Sequence, residues 1–186
     1  MLGVLRWLAG FPLAALHRLG APAGWLAYAL SPSYRRRFIA NARQAGLGPA
    51  ESRPAIAEAG RLLLELPRLW LRPAGEPISP PVRWEGAEAI DAALALGRGV
   101  VFLTPHLGCF EVTAQAYAER YGPRFGPITV LFRPARKAWL RPLVGGSRTR
   151  PGLAAAPATL AGVRQMIRAL RRGEAVGLLP DQVPPE

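Results

Sequence analysis

His106 and Glu111 lie five residues apart in Thr104-Pro105-His106-Leu107-Gly108-Cys109-Phe110-Glu111, directly after the apolar run Val100-Val101-Phe102-Leu103. A neutral imidazole can take a proton from a hydroxyl. A carboxylate beside it fixes the tautomer and steadies the imidazolium that forms. Residues five apart on one continuous helix point about 140° apart. The two side chains therefore meet only if His106 lies in the turn before a helix and folds back over it. Thr104-Pro105 also reads as a cap and first helical residue, which would draw His106 onto the helix instead. This spacing is common by chance, so on spacing alone a capping His and a solvated Glu are the ordinary reading. Cys109 adds a rival chemistry, a thiol nucleophile near a base. Its ordinary reading is a small buried hydrophobe. His17 and His106 are far apart in the chain and give no metal-ligand spacing, and no phosphate-binding or dinucleotide-binding glycine loop occurs.

The elements that must position these residues follow from the patterning. Val100 to Leu103 is short, β-branched and aromatic, which predicts a buried strand. Thr104 precedes a proline and is biased away from helix. Leu107 to Arg120 predicts a helix with Leu107, Phe110, Ala114 and Tyr117 close to one stripe. His106 is then expected where a strand ends and a helix begins, the place where open α/β sheets hold ligands. The same alternation surrounds it. Strands are expected at Val82 to Trp84, Ile128 to Phe132 and Ala175 to Leu179, and helices at Gly86 to Leu96 and Thr159 to Arg172. This predicts an α/β fold, a mostly parallel sheet with flanking helices. Arg133 to Pro157, rich in Gly, Pro and Arg, reads as a long functional loop.

Residues 1–30 are strongly apolar but interrupted by Arg6, Pro12, His17, Arg18 and Pro22, so no clean run reaches the roughly 20 residues of a spanning helix. They read as an apolar helical, membrane-associating segment, embedded or interfacial, with a tilted span and a buried hairpin as alternatives. Tyr34-Arg35-Arg36-Arg37 follows, a basic cluster suited to an anionic cytoplasmic leaflet. Pro49 to Trp70 predicts a helix with Ala55, Ala59, Leu62, Leu63, Leu66 and Trp70 near one face. The expected organisation is a membrane-associating part over 1–45, a helix and Pro-rich linker over 46–80, and an α/β core over 81–186. The net charge of +12, from 24 basic against 12 acidic residues, favours anionic partners: lipid head groups, an acidic carrier protein or nucleic acid. Lys137 is the only lysine, and arginine forks suit phosphate and carboxylate. Nucleic acid fits poorly, because the arginines are scattered with few aromatics among them and no recognised module occurs. A single cysteine excludes an intrachain disulfide framework.

Thr104 to Glu111 resembles the His-x4-Asp/Glu motif of the bacterial lipid A biosynthesis (lauroyl/myristoyl) acyltransferases. Further segments resemble that family in its order. Val130-Leu131-Phe132-Arg133-Pro134 is similar to an aromatic-Arg-Pro element, and Gly146-Ser147-Arg148-Thr149-Arg150 to an Arg-bearing loop. Leu160 to Arg164, then Ala169 to Gln182 ending in Pro180-Asp181-Gln182, are similar to its helix, strand and terminal Pro-Asp-Gln. The resemblance implies transfer of a fatty acyl group from an acyl carrier protein to a hydroxyl of a lipid A precursor or another anionic lipid, with no metal or organic cofactor. It makes His106 the general base and Glu111 its orienting carboxylate. Arg133, Arg148 and Arg150 would support the oxyanion or grip the acceptor's phosphates. A shift of one residue exchanges the surroundings of Arg148 and Arg150. Asp181 would be an acid behind the site or a binding residue. The implied location is the cytoplasmic face of the bacterial inner membrane. Two alternatives stand beside this. One is an acyltransferase for a phospholipid, ornithine lipid or other glycolipid. The other is an inactive lipid-binding homologue, since family members usually continue well beyond Pro184-Pro185-Glu186.

Overall fold

The computed structural model describes residues 2–73, 75–132 and 150–181. The chain divides into two compact units, Met1–Leu69 and Trp70–Glu186.

The first unit is helical: α1 (Leu2–Ala9), α2 (Leu13–Leu30), α3 (Pro32–Gln44), the short α4 (Pro49–Ser52) and α5 (Pro54–Leu71), whose last residues pass into the second unit. Ser31 separates α2 from α3. Its hydroxyl accepts a hydrogen bond from the Tyr34 N–H at 3.3 Å, and Pro32 takes the first helical position, where no N–H is needed. α2 and α5 meet through glycines. A Cβ on Gly60 would lie 2.0 Å from the Gly20 carbonyl oxygen and 2.5 Å from the Gly24 nitrogen. The backbones are in contact, an approach only small residues permit. His17 Nε2 meets Glu65 Oε2 at 2.8 Å, and Arg68 Nη1 donates to the Phe11 carbonyl at 2.9 Å, each joining α5 to the start of the unit.

This contact corrects the expected face of α5. The buried residues are Ile56, Gly60, Pro67 and Leu69, while Ala55 and Leu63 are exposed. Hydrophobic spacing pointed to the bulky stripe; the close approach selected the glycine. Val4, Trp7, Leu19, Leu26 and Leu30 are also exposed. Among the described residues no helix is long and apolar enough to cross a membrane.

The second unit is a mixed α/β structure with a parallel four-stranded sheet. Its elements run α6 (Ala87–Ala95), β1 (Val100–Leu103), α7 (Glu111–Arg120), α8 (Gly122–Phe125), β2 (Ile128–Phe132), β3 (Leu153–Pro157), α9 (Leu160–Arg171) and β4 (Ala175–Leu178). The sheet order is β1-β4-β2-β3 and all pairings are parallel. Alternate strand residues feed two layers. Ile128, Leu153 and Ala175 pack with Leu94, Tyr117 and Tyr121, and Phe102 joins them. Ala156 and Val176 pack with Met166 and Ala169 of α9.

Two expectations change here. Val82–Trp84 forms no strand. Pro80 and Pro81 remove the donors a ladder needs just before it. Trp84 instead packs edge-on against Tyr121, with ring centroids 5.5 Å apart, beneath the Arg120 guanidinium. Conversely, β3 lies inside the stretch expected as loop. Leu-Ala-Ala-Ala-Pro has weak strand propensity, and among the described strands β3 lies at the edge of the sheet, where a terminal proline is tolerated.

Candidate active site

β1 and β4 are neighbours, with Leu103 opposite Leu178. The chain continues from one as Thr104-Pro105-His106 and from the other as Leu179-Pro180-Asp181. The Thr104 N–H donates to the Leu178 carbonyl at 3.0 Å, and then a proline in each strand, lacking an N–H, ends the ladder. Two chains leaving the sheet at the same level bring His106 and Asp181 face to face. They meet at the carboxyl ends of the strands, the functional edge of such a sheet.

The contact is two-pronged. The His106 backbone N–H donates to Asp181 Oδ2 at 2.8 Å, and His106 Nδ1 meets Oδ1 at 2.7 Å. These bonds, the backbone one first, hold the Asp181 carboxyl below the usual carboxylate range. An ionised carboxylate only accepts, so Nδ1 carries the proton and Nε2 of the neutral ring carries the lone pair. The Phe110 ring meets the imidazole edge-on, with centroids 4.7 Å apart. Gly108, at φ 56, turns the chain between His106 and α7, which starts at Glu111 rather than at Leu107. His106 thus lies in the turn. Cys109 is half-buried in the same turn.

A linkage follows. Asp181 has a depressed pKa in the folded state, so the stability it contributes is present above the unfolded-state value and is lost as pH falls through the folded one. The difference in melting temperature between wild type and Asp181→Asn should be steady near neutrality and shrink on acidification below about pH 4. Thermal melts of both proteins across an acid pH series check this.

Beside the turn lies a cavity of ≈ 370 Å³ between α7 and the sheet. That is within the roughly 300–1,000 Å³ of small-molecule sites. Thr104, Phe110 and Glu111 line it, and its walls are mostly apolar, including Trp84, Phe102, Val130 and Leu178. Glu111, the first residue of α7, stands on this wall. Tyr117 lines it too. Burial, then the charges of Glu174 and Tyr121, push its phenol up to about 12, so it stays protonated. Among the described residues its hydroxyl has no hydrogen-bond partner. No three His, Cys, Asp or Glu side chains among the described residues converge as a metal site would require.

The sequence as a whole settles the class. The family model for bacterial lipid A biosynthesis acyltransferases matches residues 1–184, nearly the whole chain. The chain belongs to this lipid A acyltransferase family. No curated protein matches it.

The remaining expected residues are distributed differently. Arg133 and Arg148 lie outside the described residues. Arg150 precedes β3, at the amino end of the sheet, and is not brought to the pair. Its guanidinium is buried and donates to the backbone carbonyls of Arg72 and of Pro73, the latter at 3.1 Å. Burial, with Arg72 beside it, lowers its pKa, and Glu119 opposes that. Arg72 in turn donates to Glu119 at 2.7 Å and to buried Gln115 at 2.8 Å, both on α7. The sequence reading missed this polar network, and nothing in local spacing signals it. Arg150→Ala strips two carbonyls of a charged donor and should cost about 2–4 kcal/mol. Urea unfolding would show it as a lower midpoint.

Proposed function

We propose that this acyltransferase moves a fatty acyl group from an acyl carrier protein thioester to a hydroxyl of a lipid A precursor. The observation that carries the proposal is the His106 ring, with Nδ1 held by Asp181 and Nε2 left as the base, beside an apolar cavity. Nε2 takes the hydroxyl proton as the oxygen attacks the thioester carbonyl. The tetrahedral oxyanion collapses, the carbon–sulfur bond breaks, and the imidazolium returns the proton to the leaving thiolate. Asp181 keeps the tautomer and, being ionised, steadies the imidazolium. Glu111, on the cavity wall, keeps the orienting role the resemblance gives it. Arg133 and Arg148 keep the roles the resemblance gives them, oxyanion support or grip on the acceptor's phosphates.

The net charge of +12 supports an acidic donor protein and a phosphorylated acceptor. Exposed Trp7, Leu26 and Leu30, followed by Arg35, Arg36 and Arg37, support a seat on the cytoplasmic leaflet of the inner membrane.

The test is acyl transfer in detergent micelles, with labelled acyl carrier protein, a lipid A precursor, and wild type beside His106→Ala. Label should reach the glycolipid with wild type, and the rate should fall by roughly 10³-fold or more in the variant. Transfer that survives in His106→Ala overturns the mechanism. Transfer to a phospholipid or ornithine lipid in place of the precursor overturns the acceptor.

A further inference from the structure

The helical unit contains a groove that the catalytic reading does not use. It has a volume of ≈ 320 Å³ and is lined by Trp25 and Tyr28 of α2 and Phe38 and Ile39 of α3, together with Arg43 and Arg53. Tyr28 and Phe38 meet edge-on at 5.5 Å and give the wall a fixed shape. Trp25 and Ile39 are left partly exposed.

The charge is one-sided. Residues Met1–Leu69 carry nine arginines against three glutamates. Glu51 accepts from the Gly48 N–H at 2.7 Å, Glu58 pairs with Arg61, and Glu65 meets His17 at 2.8 Å. Each acid is therefore engaged elsewhere, and none lines the groove. The Arg53 guanidinium lies over the Trp25 ring, 5.1 Å from its centroid. Stacking occupies its face and leaves its in-plane N–H groups for an anion. Arg43 stands in the last turn of α3 and lines the same groove.

A mainly apolar groove lined also by two arginines matches one ligand chemistry, an acyl chain joined to an anionic head group. We infer that this groove binds one chain of an anionic membrane lipid, with Arg43 and Arg53 on its phosphate. The site involves neither His106 nor Asp181, so its test does not depend on the catalytic proposal. Its effect is to bind the helical unit to individual lipids by their head groups, beyond general attraction of positive charge.

The experiment titrates the purified full chain, in maltoside micelles, with phosphatidylglycerol carrying brominated acyl chains, and follows tryptophan fluorescence. Saturable quenching is expected, and it should disappear in Trp25→Phe, which keeps the other tryptophans. Arg43→Gln with Arg53→Gln should move the midpoint roughly tenfold or more to weaker binding. Brominated phosphatidylcholine should bind wild type as weakly as the charge variant binds phosphatidylglycerol. Ala42→Phe, which fills the groove and retains both arginines, should weaken phosphatidylglycerol comparably. Equal quenching in Trp25→Phe would place the lipid elsewhere and overturn the assignment. So would loss in the arginine variant with no loss in Ala42→Phe, because charge would then act without a chain in the groove. Displacement of the lipid by millimolar inorganic phosphate would reassign the site to phosphate alone.

Discussion

Asp181→Asn is expected to lower kcat for acyl transfer by roughly 10³- to 10⁴-fold, with little change in KM for the acyl donor. The size comes from a constraint in the backbone. The His106 N–H points at one oxygen of Asp181 and needs an acceptor there. An asparagine must therefore turn its carbonyl oxygen to that N–H and present its NH2 to His106 Nδ1. A donor facing Nδ1 forces that nitrogen to accept, and the proton moves to Nε2. The ring then has no lone pair on Nε2, the nitrogen that the proposed mechanism uses. The variant should stay folded and bind substrate, with its imidazole in the wrong tautomer. Steady-state rates of wild type, Asp181→Asn and Glu111→Gln, measured side by side, decide the point. A fall within tenfold for Asp181→Asn, with near-complete loss in Glu111→Gln, would give the orienting role to Glu111.

The second large effect is far from chemistry. Gly60→Ala should destabilise the helical unit by about 3 kcal/mol or more, and Gly60→Val should prevent α2 and α5 from packing. The new Cβ would sit 2.0 Å from the Gly20 carbonyl oxygen, a backbone atom that cannot move alone. Gly24 faces the same obstacle from the other side, 2.2 Å from the Ile56 carbonyl oxygen. Gly3 is the control, since a Cβ there meets nothing within 4 Å. Alanine is favoured over glycine in a helix by about 1 kcal/mol, so Gly3→Ala should be neutral or slightly stabilising. Thermal unfolding followed by circular dichroism should separate the two substitutions, identical in chemistry: Gly60→Ala should melt lower, and Gly3→Ala at the wild-type temperature or slightly above it.

These two cases mark what local sequence can and cannot show. Val100 to Leu103, Ile128 to Phe132 and Ala175 to Leu178 announced themselves as strands through branched and aromatic runs, and α9 through its apolar period. β3 did not, because its alanines carry no strand signal and its place depends on β2 beside it. The expected partner of His106 was the nearest carboxylate in the chain. The geometry puts on Nδ1 a carboxylate 75 residues away. One signal could have found it. Two strands end alike, Leu103-Thr104-Pro105-His106 and Leu178-Leu179-Pro180-Asp181, and parallel neighbours in register bring such endings together. The Gly20–Gly24–Gly60 contact is equally legible only afterwards, since the glycines that permit an approach add nothing to a hydrophobic stripe.

The sheet order has a kinetic consequence. β4 is the last of the described strands in the chain, yet it is inserted between β1 and β2. Among the described residues β1 has no other strand neighbour. The pairing that sets the His106 tautomer is therefore nonlocal and requires closure of a long loop, which makes it a late event in folding. A nascent or refolding chain can hold β2 against β3 and carry α7 while still lacking the His106–Asp181 contact. Recovery of acyl transfer after dilution from denaturant should follow the slowest refolding phase, so that turnover reports on completed topology rather than on collapse.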